Sequence, residues 1–120
     1  MSQPNNITLT VRDFNGKACI LDIQGDVTAA AENALMDAYN QVTATGVKDI
    51  VLNFAQLDYM NSSGIGLLVT LLIRAKRQSQ RLLACHLTEH YRQIFELTRL
   101  NEAITIYDTE ADLFLAITVV

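Results

Sequence analysis

Positive charge is sparse in this chain. Nine Lys and Arg stand against thirteen Asp and Glu among 120 residues, for a net charge of −4. The nearest approach to a basic cluster, Arg74, Lys76, Arg77 and Arg81, reads as the wet face of a helix, so nucleic acid is not an expected partner. Cysteine is scarce too. Cys19 and Cys85 each lie inside an apolar run with no CxxC spacing, which favours buried core thiols over a metal site or a disulfide. Long hydrophobic runs are missing. The longest, Ile65–Ile73, is interrupted by Gly66 and Thr70 and falls short of the roughly 18 residues that span a bilayer. The opening MSQPNNITLT has neither a basic n-region nor an apolar h-region, so no signal peptide and no direct membrane insertion are expected, and a cytoplasmic protein follows. No paired carboxylates and no metal-ligand cluster stand out.

What remains is a globular composition, half apolar and 18% charged, at a length that suits a single domain over residues 1–120 with one hydrophobic core. Ile7, Leu9 and Val11 alternate with polar residues as in a half-buried strand. Asn15-Gly16 signals a hairpin turn into a second strand, Ala18–Ile23, that ends at Gly25. An Ala-rich helical pattern runs from about Ala29 to Thr45 and stops at Gly46. Lys48–Phe54 reads as a strand covered on both faces. A helical pattern follows over Gly64–Gln80, with Ile65, Leu68, Leu72 and Ala75 as its buried positions. Then come a strand at Arg81–Leu87, a helix capped by Thr88 and running through Leu97 with Tyr91, Ile94, Phe95 and Leu97 available to pack, a short strand at Ile104–Tyr107, and a last helix capped by Asp108 or Thr109 with Leu113, Phe114 and Ile117 inward. The order β-β-α-β-α-β-α-β-α predicts an α/β fold: a mixed, mainly parallel sheet of four to five strands, an antiparallel N-terminal hairpin strand and about four helices.

The stretch DYMNSSGIG, residues 58–66, places two serines where a strand gives way to a helix. Four readings compete. Asn61, Ser62 or Ser63 caps the helix, but one such residue suffices. The helix tip could cradle a phosphate, yet Gly64-x-Gly66 lacks the third glycine and no GxxxxGK[ST] is present. A nucleophile elbow would need GxSxG, and Met60 occupies the first glycine position; His86 and His90 read as structural or surface residues. Lastly, a serine could itself be modified. A phosphate on Ser62 would add about −1.5 to −2 charges at a helix tip that tolerates them, while obstructing a partner packed over it.

LDYMNSSGIGLL resembles the signature of the STAS domain, and in particular that of stand-alone anti-sigma-factor antagonists. Three further segments are similar to the family: Ile23–Thr28 after the second strand, Ile50–Phe54 before the signature, and Arg92–Thr98 before the last strand. The resemblance implies a STAS fold and a non-enzymatic partner switch. Such proteins bind an anti-sigma factor that is also a serine kinase of the histidine-kinase-like ATPase type. They are released when phosphorylated, and a PP2C-type phosphatase restores binding. It implies phosphorylation at Ser62, with Ser63 as the fallback, and no cofactor for this chain. The implied partner surface is Asp58, Tyr59, Met60, Asn61, Ser62, Ser63, Gly64, Ile65 and Gly66, with help from Gly25, Asp26 and Thr28. Two positions depart from the pattern: Asn61 replaces the usual Asp, and Thr28 stands where Asp is frequent. A scaffold or transporter-associated STAS subunit without phosphorylation is the alternative within the family, and a small enzyme using Ser62 the rival from another class.

Overall fold

The computed structural model describes residues 6–118; the reading of the leading residues Met1–Asn5 lies outside them. Among the described residues the chain forms five strands and four α-helices. They are β1 (Ile7–Phe14), β2 (Ala18–Val27), α1 (Glu32–Thr43), β3 (Asp49–Met60), α2 (Ser62–Arg77), β4 (Arg81–Cys85), α3 (Glu89–Leu97), β5 (Thr105–Tyr107) and α4 (Glu110–Thr118). Short 3-10 turns precede α1 and β5. The strands lie side by side in chain order, β1-β2-β3-β4-β5, with β1 antiparallel to β2 and the other pairs parallel. This is the predicted mixed sheet. The hairpin between β1 and β2 turns on Asn15 and Gly16, both at positive φ.

Alternation along the central strands divides the core between the two faces of the sheet. Leu21, Ile23, Ile50, Leu52, Phe54, Leu82 and Ala84 meet α1, α2 and α3 on one face. Ile20, Val51, Leu83 and Cys85 meet Leu113, Phe114 and Ile117 of α4 on the other. Both cysteines are free and buried, and burial pushes the Cys85 thiol up to about 12. The predicted inward face of α4 is observed, with Phe114 stacked on Phe14.

Several boundaries differ from the sequence reading. β2 runs to Val27 and β3 to Met60, because ladder pairing joins Asp26 to Tyr59 and Val27 to Met60 well beyond the apolar runs. α2 begins at Ser62 and ends at Arg77, and its buried residues are Gly64, Leu67, Leu68, Leu71 and Ala75; Ile65 and Leu72 are only partly buried. The first helix starts with a 3-10 turn at Ala29–Ala31. β4 stops at Cys85, and His86 takes a left-handed backbone, φ 62°, outside the strand; its Nε2 accepts the Glu110 N–H at the head of α4. Leu97, expected to pack, is 84% exposed.

Candidate functional site

The site forms where β2 and β3 end side by side. Along the last residues of β3, Asp58 and Tyr59 face solvent and Met60 turns into the core at 4% exposure. Asn61 then leaves the strand in an extended conformation and caps α2: its side-chain oxygen accepts the Gly64 N–H at 2.9 Å. The Ile65 N–H bonds the Asn61 carbonyl at 3.0 Å, which closes the first turn.

Two close approaches hold this junction rigid. A Cβ on Gly64 would lie 2.0 Å from the Val27 carbonyl oxygen and 2.9 Å from Met60 Cγ, so only glycine lets α2 sit against the end of β2. Gly25, at φ +100°, has no room for a side chain either; a Cβ there would lie 2.1 Å from the Asn6 carbonyl oxygen. That carbonyl accepts the Asp26 N–H at 2.7 Å, and Asn6 Nδ2 donates to Asp26 Oδ2 at 2.8 Å. Thr28 caps the 3-10 turn that follows, accepting the Ala30 N–H at 3.3 Å. From the opposite side, Tyr91 of α3 accepts the Met60 N–H at 2.8 Å, a buried bond that ties α3 to the strand end.

Against this frame the two serines are spare. Asn61 does the capping, and neither the Ser62 nor the Ser63 hydroxyl has a hydrogen-bond partner among the described residues. Both are exposed in the first turn of α2. Their backbone N–H groups also lack a protein acceptor among the described residues, as expected at a helix N-terminus, where the dipole favours negative charge. The serines differ in surroundings. Ser62 stands on the rim of an open groove of about 260 Å³ between α2 and α3, lined also by Met60, Asn61, Ile65, Ile94 and Thr98. Ser63 does not line it.

The structure therefore brings Asp58–Gly66 and Gly25–Thr28 together. It sorts them into exposed groups (Asp58, Tyr59, Ser62, Ser63, Gly66), partly buried ones (Asp26, Thr28, Asn61, Ile65) and buried ones that shape the site from beneath (Gly25, Met60, Gly64). Ile94 and Thr98 were missed as groove residues. Ile94 reads as core in sequence; it does pack against the core, but it is only partly buried and lines the same groove as Ser62. A second concavity, about 270 Å³, lies on the other side of the sheet around Thr10, Arg12, Asp22, Gln24 and Asn53. Its charges are already engaged: Arg12 pairs with Asp22 at 2.6 Å and with Glu110, and Asn53 donates to Asp22 at 2.7 Å. Among the described residues no group of three or more His, Cys, Asp or Glu could hold a metal ion, and no helix is long and apolar enough to cross a membrane.

Fold and site together define a small α/β module with two free hydroxyls on a rigid helix tip. The STAS domain model matches residues 10–113, and the chain belongs to that family. Among its relatives is the anti-sigma-F factor antagonist RsfB of Mycobacterium tuberculosis, 34% identical over 68 residues. That match spans 57% of this chain and 55% of the relative, just over half of each. An anti-sigma factor antagonist from Mycobacterium paratuberculosis has the same fold, with a TM-score of 0.78 at 22% identity over 98% of both chains. So does the Bacillus cell fate determinant SpoIIAA in its phosphorylated form, with a TM-score of 0.71 at 18% identity over 92% of this chain and 99% of that one.

Proposed function

We propose that this protein is an anti-sigma-factor antagonist working by partner switching in the cytoplasm. Unphosphorylated, it binds an anti-sigma factor that is also a serine kinase of the histidine-kinase-like ATPase type. Phosphorylation of Ser62 releases it, and a PP2C-type phosphatase resets it. The chain itself is not an enzyme and needs no cofactor; ATP belongs to the kinase.

One observation carries this reading: Asn61 caps α2, which leaves the Ser62 hydroxyl exposed and unengaged on the rim of an apolar groove. A phosphate there meets the free N–H groups and positive end of α2, so the fold accepts it. A partner side chain seated between Met60, Ile65 and Ile94 would be held against a dianion, and desolvating that charge costs several kcal/mol. Each 1.4 kcal/mol is about a tenfold loss of affinity. Asn61 retains the cap of the family's usual Asp without adding a second negative charge beside the phosphate.

Phosphosite mapping by mass spectrometry, on protein taken from its native cells with phosphatases inhibited, tests the reading. Phosphate on Ser62 in part of the population is expected. The Ser62→Asp variant should melt like the parent and bind its anti-sigma factor at least about tenfold more weakly. An unmodified site through growth, starvation and stress would instead favour a constitutive scaffold or transporter-associated role.

A further inference from the structure

The outward face of α2 has a composition that the serine site does not account for. At about 100° per residue, the buried Gly64, Leu67, Leu68, Leu71 and Ala75 mark the inward side of the helix. The line opposite reads Ser62, Gly66, Val69, Ile73, then Lys76 and Arg77 on either flank. On a surface helix that line is ordinarily polar. Here two β-branched aliphatics occupy its middle, Val69 39% and Ile73 47% exposed.

Gly66 adds an independent sign. Glycine inside a helix is unfavourable relative to alanine. At Gly64 the fold demands it, but nothing lies within 4 Å of where a Gly66 Cβ would stand. Its bareness serves nothing inside this molecule; it lowers the surface between Ser62 and Val69. The charge is segregated as well. α2 contains no acidic residue, and Arg74, Lys76 and Arg77 are exposed and make no salt bridge among the described residues, in a chain of net charge −4. Cations suit a helix C-terminus, which explains their sign but not the exposed aliphatics one and two turns before them.

We propose that the line from Ser62 to Arg77 is a docking strip, about 22 Å long at 1.5 Å per residue, for an acidic segment of a partner protein. Aliphatic side chains of that segment cover Val69 and Ile73, its backbone closes over Gly66, and its carboxylates face Lys76 and Arg77. A second copy of this chain does not fit. Parallel helices would set the two cation clusters together, and antiparallel ones would set each cluster on the positive N-terminus of the other. The inference rests on the Ser62 reading, since the strip begins at that serine and extends its contact along the helix.

The probe is the purified anti-sigma factor, first recovered with the unphosphorylated protein from its native cells and identified by mass spectrometry. Titrations compare the parent with Ser62→Asp and with three strip variants: Gly66→Gln, Val69→Ser/Ile73→Ser and Lys76→Glu/Arg77→Glu. Each strip variant should raise Kd by about tenfold. The charge reversal should also flatten the salt dependence of binding. Gly66→Gln, which improves helix propensity, should weaken binding without lowering Tm. That outcome separates lost contact from lost fold. If Ser62→Asp weakens binding and all three strip variants bind like the parent, the strip lies outside the interface while the serine reading stands. If the strip variants weaken binding and Ser62→Asp does not, the strip is right and the serine reading is wrong. Strip-dependent sedimentation with phosphatidylglycerol vesicles, alongside unchanged anti-sigma binding, would assign the face to a lipid surface and overturn the proposal.

Discussion

Gly64 and Asn61 decide what the neighbouring serines are free to do. The Gly64 backbone lies so close to the Val27 carbonyl that a methyl group would stand 2.0 Å from its oxygen, and no rotamer change relieves a clash with backbone. Gly64→Ala should therefore destabilise the protein by roughly 1–3 kcal/mol or more through forced displacement of α2, measured as a lowered urea midpoint at unchanged m. An unaltered midpoint would mean that the junction is looser than its geometry implies. In the sequence, Asn61, Ser62 and Ser63 were equal candidates for the cap, because all three carry acceptors the helix can use. A shift of one residue in the start of the helix changes which of them caps. That phase depends on contact between Gly64 and a strand 37 positions upstream, so local pattern alone could not assign it.

At the scale of elements, the alternation of strands and helices was legible because the helices carry apolar residues at helical spacing and each central strand is a short apolar run. The ends were not. The apolar run of β3 stops at Phe54, but the strand continues six residues further through Ala55–Met60, held by pairing to β2 that no local signal records. Asp58 and Tyr59 thus project from a strand, where a loop would have been inferred. α3 is the other case: its hydrophobic residues read alike, but Tyr91 and Phe95 are buried, Ile94 lines the groove and Leu97 is exposed. Among the described residues the Tyr91 hydroxyl makes the single hydrogen bond joining α3 to the end of β3. Tyr91→Phe leaves the buried Met60 N–H unpaired, at a cost of about 1–3 kcal/mol. Hydrogen exchange should quicken at Met60 first, and equally slow exchange there would show that another acceptor takes over.

For the whole molecule, the polar end of the sheet is clamped by charge. Arg12 on β1 bonds Asp22 on β2 and Glu110 on α4, so one guanidinium joins the hairpin to the last helix. Burial works to raise the Asp22 carboxyl, but hydrogen bonds from Arg12 and Asn53 outweigh it and hold the group below its ordinary 3.8. A carboxylate depressed on folding contributes stability that is present above the unfolded value and lost as pH falls through the folded one. Acidification below about pH 4 should therefore lower Tm more steeply in the parent than in Asp22→Asn, which should start about 1–2 kcal/mol less stable at neutral pH. Melting curves that run parallel for the two proteins down to about pH 2 would remove the clamp from the stability of the fold.

The strand order has a consequence for how the molecule comes into being. Every strand neighbours the one made just before it, so each new strand finds its edge already in place as synthesis proceeds. The elements that frame Ser62 from the sheet side, the ends of β2 and β3, emerge in the first half of the chain, whereas Tyr91 and Ile94 of α3 arrive only in the second. On the ribosome the serines are thus exposed on a growing sheet before the groove beside them exists. A protein that recognises serine and groove together will engage only chains in which α3 has been made and packed.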